Sequence, residues 1–232
     1  GRVSVDLLFR NERNAGSRFN GTVALENVDA GALLSNDKFG KASAFADFDA
    51  LFRRNGGGME LTLDTLGISG FGFNGYDFSG IAAKGTYVDN AFRGSIVSTD
   101  PNFNFSYNGL FSFVPDFADE SQYDFIAEVG NINLAAINVD RSNPVSQLTL
   151  VASANVKNTG DGYVNGKIDI SDVVYKGPKG IYNIGDINIK SLNSSDVFTA
   201  TLRSPFAEVE YSGPAPIYHF AGKFADMVLA HN

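Results

Sequence analysis

Carboxylates stand two residues apart at Asp47 and Asp49 and at Glu208 and Glu210, and side by side at Asp119 and Glu120. Two carboxyls facing one cleft are what glycoside hydrolysis needs. On a strand, however, residues two apart share one face. If Val209 and Tyr211 point inward, Glu208 and Glu210 lie together on the solvent face, away from any cleft. Gly70-Phe-Gly72-Phe-Asn-Gly75 spells the dinucleotide fingerprint G-x-G-x-x-G. That chemistry requires a helix N-terminus directly after the glycines. Here the strand-like Tyr76-Asp-Phe-Ser-Gly-Ile follows, so the glycines read as bulges or close backbone approaches. Asn138-Val-Asp140-Arg-Ser-Asn143 and Asp161-Gly-Tyr-Val-Asn165 gather oxygen donors of the kind calcium takes, without the Gly and Glu positions of an EF-hand. Solvated turns explain them. Gly56-Gly57-Gly58 follows Arg53-Arg54-Asn55 and lacks the Lys and Ser/Thr of a phosphate-binding loop, so it reads as a hairpin tip. Cys is absent and the 2 His stand at 219 and 231, which excludes disulfides, thiolate nucleophiles and multi-His metal centres. His219, in Tyr-His-Phe, reads as a surface or core residue. No catalytic residue, metal site or cofactor is expected, and the chain is not read as an enzyme.

The elements around these residues follow from composition. The chain has 232 residues, with 18 Lys+Arg against 26 Asp+Glu and a net charge of −8. Its basic residues are scattered singly and offer no footprint for a phosphate backbone, so nucleic acid is excluded as a partner. Hydrophobic residues at 44% and charged residues at 19% belong to a chain that folds. Phe is 20, Tyr 9 and Gly 25, while Pro is only 7, and Asp outnumbers Glu. This balance suits strands and tight turns and is poor in long charged helix formers. No run of about 18 apolar residues spans a membrane, and no signal peptide precedes the first strand. The chain opens on Gly1 without Met and stops in mid-pattern, which reads as a piece of a longer protein.

Apolar residues alternate along almost the whole length. Val3, Val5, Leu7 and Phe9 share one parity, and Leu148, Leu150, Ala152, Ala154 and Val156 form a long run. Phe103, Phe105 and Tyr107, then Phe111 and Phe113, form two runs around Asn108-Gly109. Asn-Gly also occurs at Asn20, Asn55, Asn74 and Asn165, and Asp161-Gly162 is similar. Such pairs suit type I′ hairpin turns, and some suit bulges inside strands. Roughly 12 to 16 strands of about 5–9 residues result, mainly antiparallel because the connections are too short for crossover helices. Asp29 to Leu34 and Asn133 to Ile137 suit single helical turns, and Ala225 to His231 a short terminal helix or a further strand.

The chain also repeats. Displaced by 104 residues, Leu25-Glu-Asn-Val28-Asp faces Val129-Gly-Asn-Ile132-Asn, and Tyr107-Asn-Gly109 faces Tyr211-Ser-Gly213. Displaced by 106, Tyr76 faces Tyr182 and Phe92 faces Phe198. Two units of about 105 residues follow, spanning 1–115 and 116–213, with 214–232 opening a third. Units that cover each other's faces stack into elongated arrays. Polar Asn102, Asn104, Ser106 and Asn108 alternate with Phe103, Phe105 and Tyr107, so one face meets water and the other is apolar. Strand parity assigns that apolar lining to Phe19, Val23, Leu25, Leu61, Leu63, Phe71, Phe73, Phe92, Ile96, Phe103, Phe105, Phe111, Phe113, Leu148, Leu150, Ile168, Ile170, Ile187, Ile189, Phe198 and Leu202.

Asn74-Gly-Tyr-Asp-Phe78, Asp89-Asn-Ala-Phe-Arg-Gly94 and Thr99-Asp-Pro-Asn-Phe-Asn-Phe105 with Asn108-Gly109 resemble the TamB translocation and assembly module of Bacteroidetes-type bacteria, an AsmA-like family. So do Ala30-Gly-Ala-Leu-Leu34 with Phe39-Gly40, and Asp124-Phe-Ile-Ala-Glu128 with Gly166-Lys-Ile-Asp-Ile170. The resemblance covers most of the chain and rests on β-repeat spacings. It implies an all-β fold: an elongated, curved, mainly antiparallel β-taco groove built from repeats, with very little helix. It further implies a middle segment of a periplasmic protein whose parent chain is anchored in the inner membrane. The groove would carry phospholipid acyl chains, or nascent outer-membrane protein, between the membranes. A BamA-related outer-membrane assembly protein would be a partner through regions outside this sequence. The other reading is an array of closed β-sandwiches serving as a structural or adhesin module.

Overall fold

A computed structural model describes residues 1–113, 120–160, 163–194 and 196–215. They form one 14-stranded antiparallel sheet, open and not closed into a barrel. The strands are β1 (Arg2–Glu12), β2 (Gly16–Asp29), β3 (Phe39–Arg53), β4 (Met59–Phe73), β5 (Tyr76–Phe78), β6 (Ile81–Val88) and β7 (Ala91–Asp100). There follow β8 (Phe103–Ser112), β9 (Ser121–Asn133), β10 (Gln147–Asn158), β11 (Val164–Gly177), β12 (Gly180–Asn193), β13 (Phe198–Ser204) and β14 (Ala207–Gly213). Each pairs with its successor, except that β4 passes to β6 while the short β5 pairs with the end of β4. Because β8 pairs directly with β9, the two expected units share one sheet. The expectation of a curved, mainly antiparallel, nearly helix-free β groove is met.

Local chemistry sets the turns. Asn74-Gly75 makes the expected two-residue hairpin, with φ of 53° and 80°. Asp89-Asn90, with φ of 49° and 59°, makes another that no Asn-Gly pair announces. Pro101, Pro178 and Pro205 each open a two-residue connection, between β7 and β8, β11 and β12, and β13 and β14. There the ring presets the φ that the turn needs. The expected helical turns form. Asp29 caps α1 (Ala30–Leu34), its carboxylate accepting from the Ala32 N–H at 2.9 Å. Asn133 likewise accepts from the Ala136 N–H at 3.1 Å, and Ile137 N–H donates to the Asn133 carbonyl.

Of the two roles expected of Asn-Gly pairs, Asn108-Gly109 takes the one inside a strand: β8 runs straight through it, as β2 runs through Asn20-Gly21 and β11 through Asn165-Gly166. At Gly109 φ is +145°, and a Cβ there would stand 2.2 Å from the Asp124 carbonyl oxygen. Only glycine can hold that backbone so close to β9. With these pairs inside strands, the strands are also longer than expected, reaching 15 residues in β3 and β4. The expected terminal helix, the third unit beyond residue 215, His219, His231, Asp161-Gly162 and Asp119 lie outside the described residues.

The sheet curves. In a flat single layer both faces would be equally open. Instead, Tyr123, Phe125, Ala127 and Val129 of β9 are half-buried while Gln122, Asp124, Ile126 and Glu128 are exposed. The same alternation runs through β6. Glycines Gly85, Gly94 and Gly109 stand opposite one another across β6, β7 and β8, the device by which sheets bend. At the rim, Asn74 and Asn138 exchange side-chain-to-carbonyl hydrogen bonds of 3.1 Å each, and Arg141 donates to the Asn74 side chain at 2.7 Å. The bodies of β4 and β9 are separated by β6, β7 and β8, which in a flat sheet means about 19 Å.

Candidate functional site

The pairing registers bring the sequence-assigned lining residues to a single face. Leu7, Gly21, Phe48, Leu63, Gly85, Gly94, Gly109, Phe125, Ala154, Ile168, Ile189, Leu202 and Val209 are successive partners from β1 to β14, without one polar side chain. The neighbouring row on one side contains Phe19, Leu61, Phe92 and Phe111. That on the other contains Val23, Ile96, Ile170 and Ile187. Beyond it come Leu25, Phe105 and Leu150, then Phe103 and Leu148, which share Ile132 as partner. Phe71 and Phe73 pair with Ala42 and Phe39 at the same rim. Phe113 and Phe198 sit at the opposite rim, the first against the rings of Phe111 and Tyr87, the second stacked on Tyr163.

Sequence reasoning left out the small members of these rows. Ala44, Ala46 and Ala50 of β3, with Ala127, Ala152 and Ala154 farther along, complete the wall. Tyr107 was also left out, although its parity with Phe105 was the available signal. It stands between Ile96 and Ala127, its ring 5.4 Å from Phe125 and 6.4 Å from Phe92. Burial pushes its phenol pKa up.

The wall is incompletely covered. Among the described residues, the deeply buried apolar side chains are few: Val28, Ala50, Leu110, Ile137, Ala154, Val173 and Phe198. Aromatic pairs join strands close together in the sheet, or the β5 hairpin to β8. Among the described residues none joins strands farther apart in the sheet than β5 and β8. The edge strand β1 leaves Val3, Val5, Leu7 and Phe9 between 41% and 57% exposed.

The polar groups go elsewhere. Arg203 holds both Glu208 and Glu210, at 2.9 and 3.2 Å, on the outer face. Asp49 takes Arg18 at 2.7 Å. Asp140 accepts from the Asn143 side chain and the Ser142 N–H within its own turn. Among the described residues no group of three or more acidic or imidazole side chains is placed to hold a metal ion. Gly72 of the G-x-G-x-x-G stretch lies in β4 against Gly40, a close backbone approach as expected. Asp100, 1% exposed, ties the β5 hairpin to the rim. It accepts from the Tyr76 hydroxyl at 2.6 Å, from both the Ser79 N–H and hydroxyl, and from the Asn102 N–H. Burial raises its pKa, but these hydrogen bonds prevail and hold it below the ordinary value of 3.8. The outer face is not wholly polar: Phe45, Ala82 and Val97 edge a hollow of about 820 Å³ over Gly67.

In comparisons with models of known families, with curated proteins and with solved structures, nothing matches this chain.

Proposed function

We propose that the sheet is a segment of a hydrophobic groove that carries phospholipid acyl chains, as in the TamB/AsmA-like proteins it resembles. One observation carries this reading: an apolar row crosses all thirteen strands of the sheet path from β1 to β14, β5 lying off that path, and among the described residues no second layer seals it. Hydrocarbon needs no polar partner to bind such a wall, since each buried methylene contributes on the order of 0.8 kcal/mol. A uniform wall also lacks deep local traps, so a chain can slide between near-equivalent positions. The same groove would suit the apolar segments of nascent outer-membrane protein. In this reading the parent chain is anchored in the inner membrane, the segment lies in the periplasm, and a BamA-related protein is met through other regions. The closed sandwich requires a second sheet, and among the described residues there is one sheet.

The test is to incubate delipidated protein with a phospholipid carrying a photo-crosslinker on one acyl chain. Saturable labelling mapped to the inner-face strands, with copurified lipid in native mass spectra, is the expected result. Absence of both in folded protein overturns the proposal.

A further inference from the structure

Among the described residues, Tyr107 carries the one buried side-chain polar atom without a hydrogen-bond partner, its hydroxyl. Other tyrosine hydroxyls are answered: Tyr76 by Asp100, Tyr87 by Asn90, and Tyr175 by Ser146. A hydroxyl removed from water without a partner is costly, and such groups in folded proteins call for a reason. The position is distinctive. β8 is the middle strand of the sheet path, with β1, β2, β3, β4, β6 and β7 on one side and β9 to β14 on the other. Tyr107 is on the inner face, its row neighbours Ile96 and Ala127 are apolar, and Phe92 and Phe125 are its ring contacts.

We propose that the Tyr107 hydroxyl is a polar anchor in the groove, donating to the carbonyl oxygen of a fatty acyl ester whose chain lies along the wall. The inference rests on the groove reading and adds to its apolar contacts one polar contact, to the ester of the acyl chain. An ester carbonyl, neutral and carried on a hydrocarbon chain, suits the apolar surroundings of Ile96, Ala127, Phe92 and Phe125. A chain inserting along these rings meets one donor midway, so the ester pauses at a defined station on an otherwise uniform track.

The experiment compares wild type with Tyr107→Phe, using methyl laurate and dodecane to displace a bound fluorescent acyl probe. Thermal unfolding is measured in parallel. The variant keeps the ring and removes an unanswered hydroxyl, so it should fold with an unchanged or higher Tm. Methyl laurate should bind the variant about threefold to tenfold more weakly, the worth of one neutral hydrogen bond, while dodecane binding stays the same. The ester carbonyl stretch should shift to lower frequency on binding wild type, and this shift should vanish in Tyr107→Phe. Equal binding of both compounds to both proteins, with no carbonyl shift, overturns the anchor and leaves the groove standing. Equal weakening of both compounds overturns it too, assigning Tyr107 a packing role. Failure of methyl laurate alone to bind wild type overturns the anchor, and failure of both compounds overturns anchor and groove together.

Discussion

An open apolar wall and a sealed core respond differently to a charge, and Phe105 and Ala50 separate the two. Phe105 is half-buried on β8, opposite Ser98 and Val129, with its ring 5.0 Å from Phe103. Phe105→Asp forfeits part of the roughly 1.5–3 kcal/mol that full burial of Phe contributes. It also forfeits about 0.5–1.5 kcal/mol from the ring pair. If water reaches this face, the carboxylate stays solvated and the total cost is about 2–4 kcal/mol. At about 2–4 °C per kcal/mol for a chain of this size, Tm falls by roughly 4–16 °C and the sheet survives. In a sealed core the cavity alone would cost about 3–5 kcal/mol, and the unpaired charge several more. Ala50 is the internal control: it is 4% exposed between Phe19 and Leu61 on the same face. Ala50→Asp removes no carbon, forces a larger side chain into a filled position and places its charge where water does not reach, so it should be the more damaging change. Circular dichroism melts and urea titrations give the order, and acyl-probe uptake gives the function. Phe105→Asp should fold and lose uptake. An unfolded Phe105→Asp at 25 °C, or one more destabilised than Ala50→Asp, refutes the open wall.

Glycine positions should divide sharply. Gly109→Ala places a methyl 2.2 Å from the Asp124 carbonyl oxygen at a φ of +145°, so a loss of about 3 kcal/mol or more is expected by urea unfolding. Gly67→Ala meets nothing within 4 Å and should be neutral or stabilising by about 0.4–1 kcal/mol in the same titration. Asp100 has a folded pKa below its ordinary value, so its contribution is present at neutral pH and disappears as pH falls through the lowered value. Asp100→Asn should therefore cost about 2 kcal/mol at pH 7, with the gap to wild type closing below pH 3.8 in melts run across pH.

The inner face was legible because its period of two survives the bulges. Four register shifts fall between apolar residues spaced by three: Leu25 and Val28, Leu63 and Leu66, Val129 and Ile132, Ile170 and Val173. The extra residue in such a gap, as Asn27 or Asp172 in a positive-φ conformation, returns the next apolar side chain to the same face. A spacing of three within an alternating run thus marks a bulge directly in sequence. The turn at Asp89-Asn90 and the straight passage at Asn108-Gly109 were not legible, because Asn and Gly tolerate positive φ both in turns and inside strands. Which role each takes is decided by the neighbouring strand, as the Asp124 carbonyl decides it for Gly109. The Asn74–Asn138 bridge joins residues 64 apart and follows only once the sheet is assembled and bent. The same holds for the unanswered Tyr107 hydroxyl: parity gives its face, but only the assembled lining leaves it without a partner.

The repeat has a mechanical consequence. Asp29 and Asn133 each cap a helical turn three residues on, directly after β2 and β9, and Pro101 and Pro205 open the turns before β8 and β14. These coincidences support a unit of six successive strands along the path, β2 to β8 without β5, then β9 to β14. At about 4.8 Å between strands, one unit advances the wall by about 29 Å, close to the thickness of a bilayer's hydrocarbon core. In the groove reading, because the registers keep the central apolar row continuous, a further unit would lengthen the track without altering its cross-section. The number of units would then set the distance spanned and the side-chain rows the ligand carried. Stability would depend mainly on contacts between adjacent strands. Lengthening such a protein would therefore extend its reach at little cost to folding, whereas a charge in one row would interrupt the whole track at that strand.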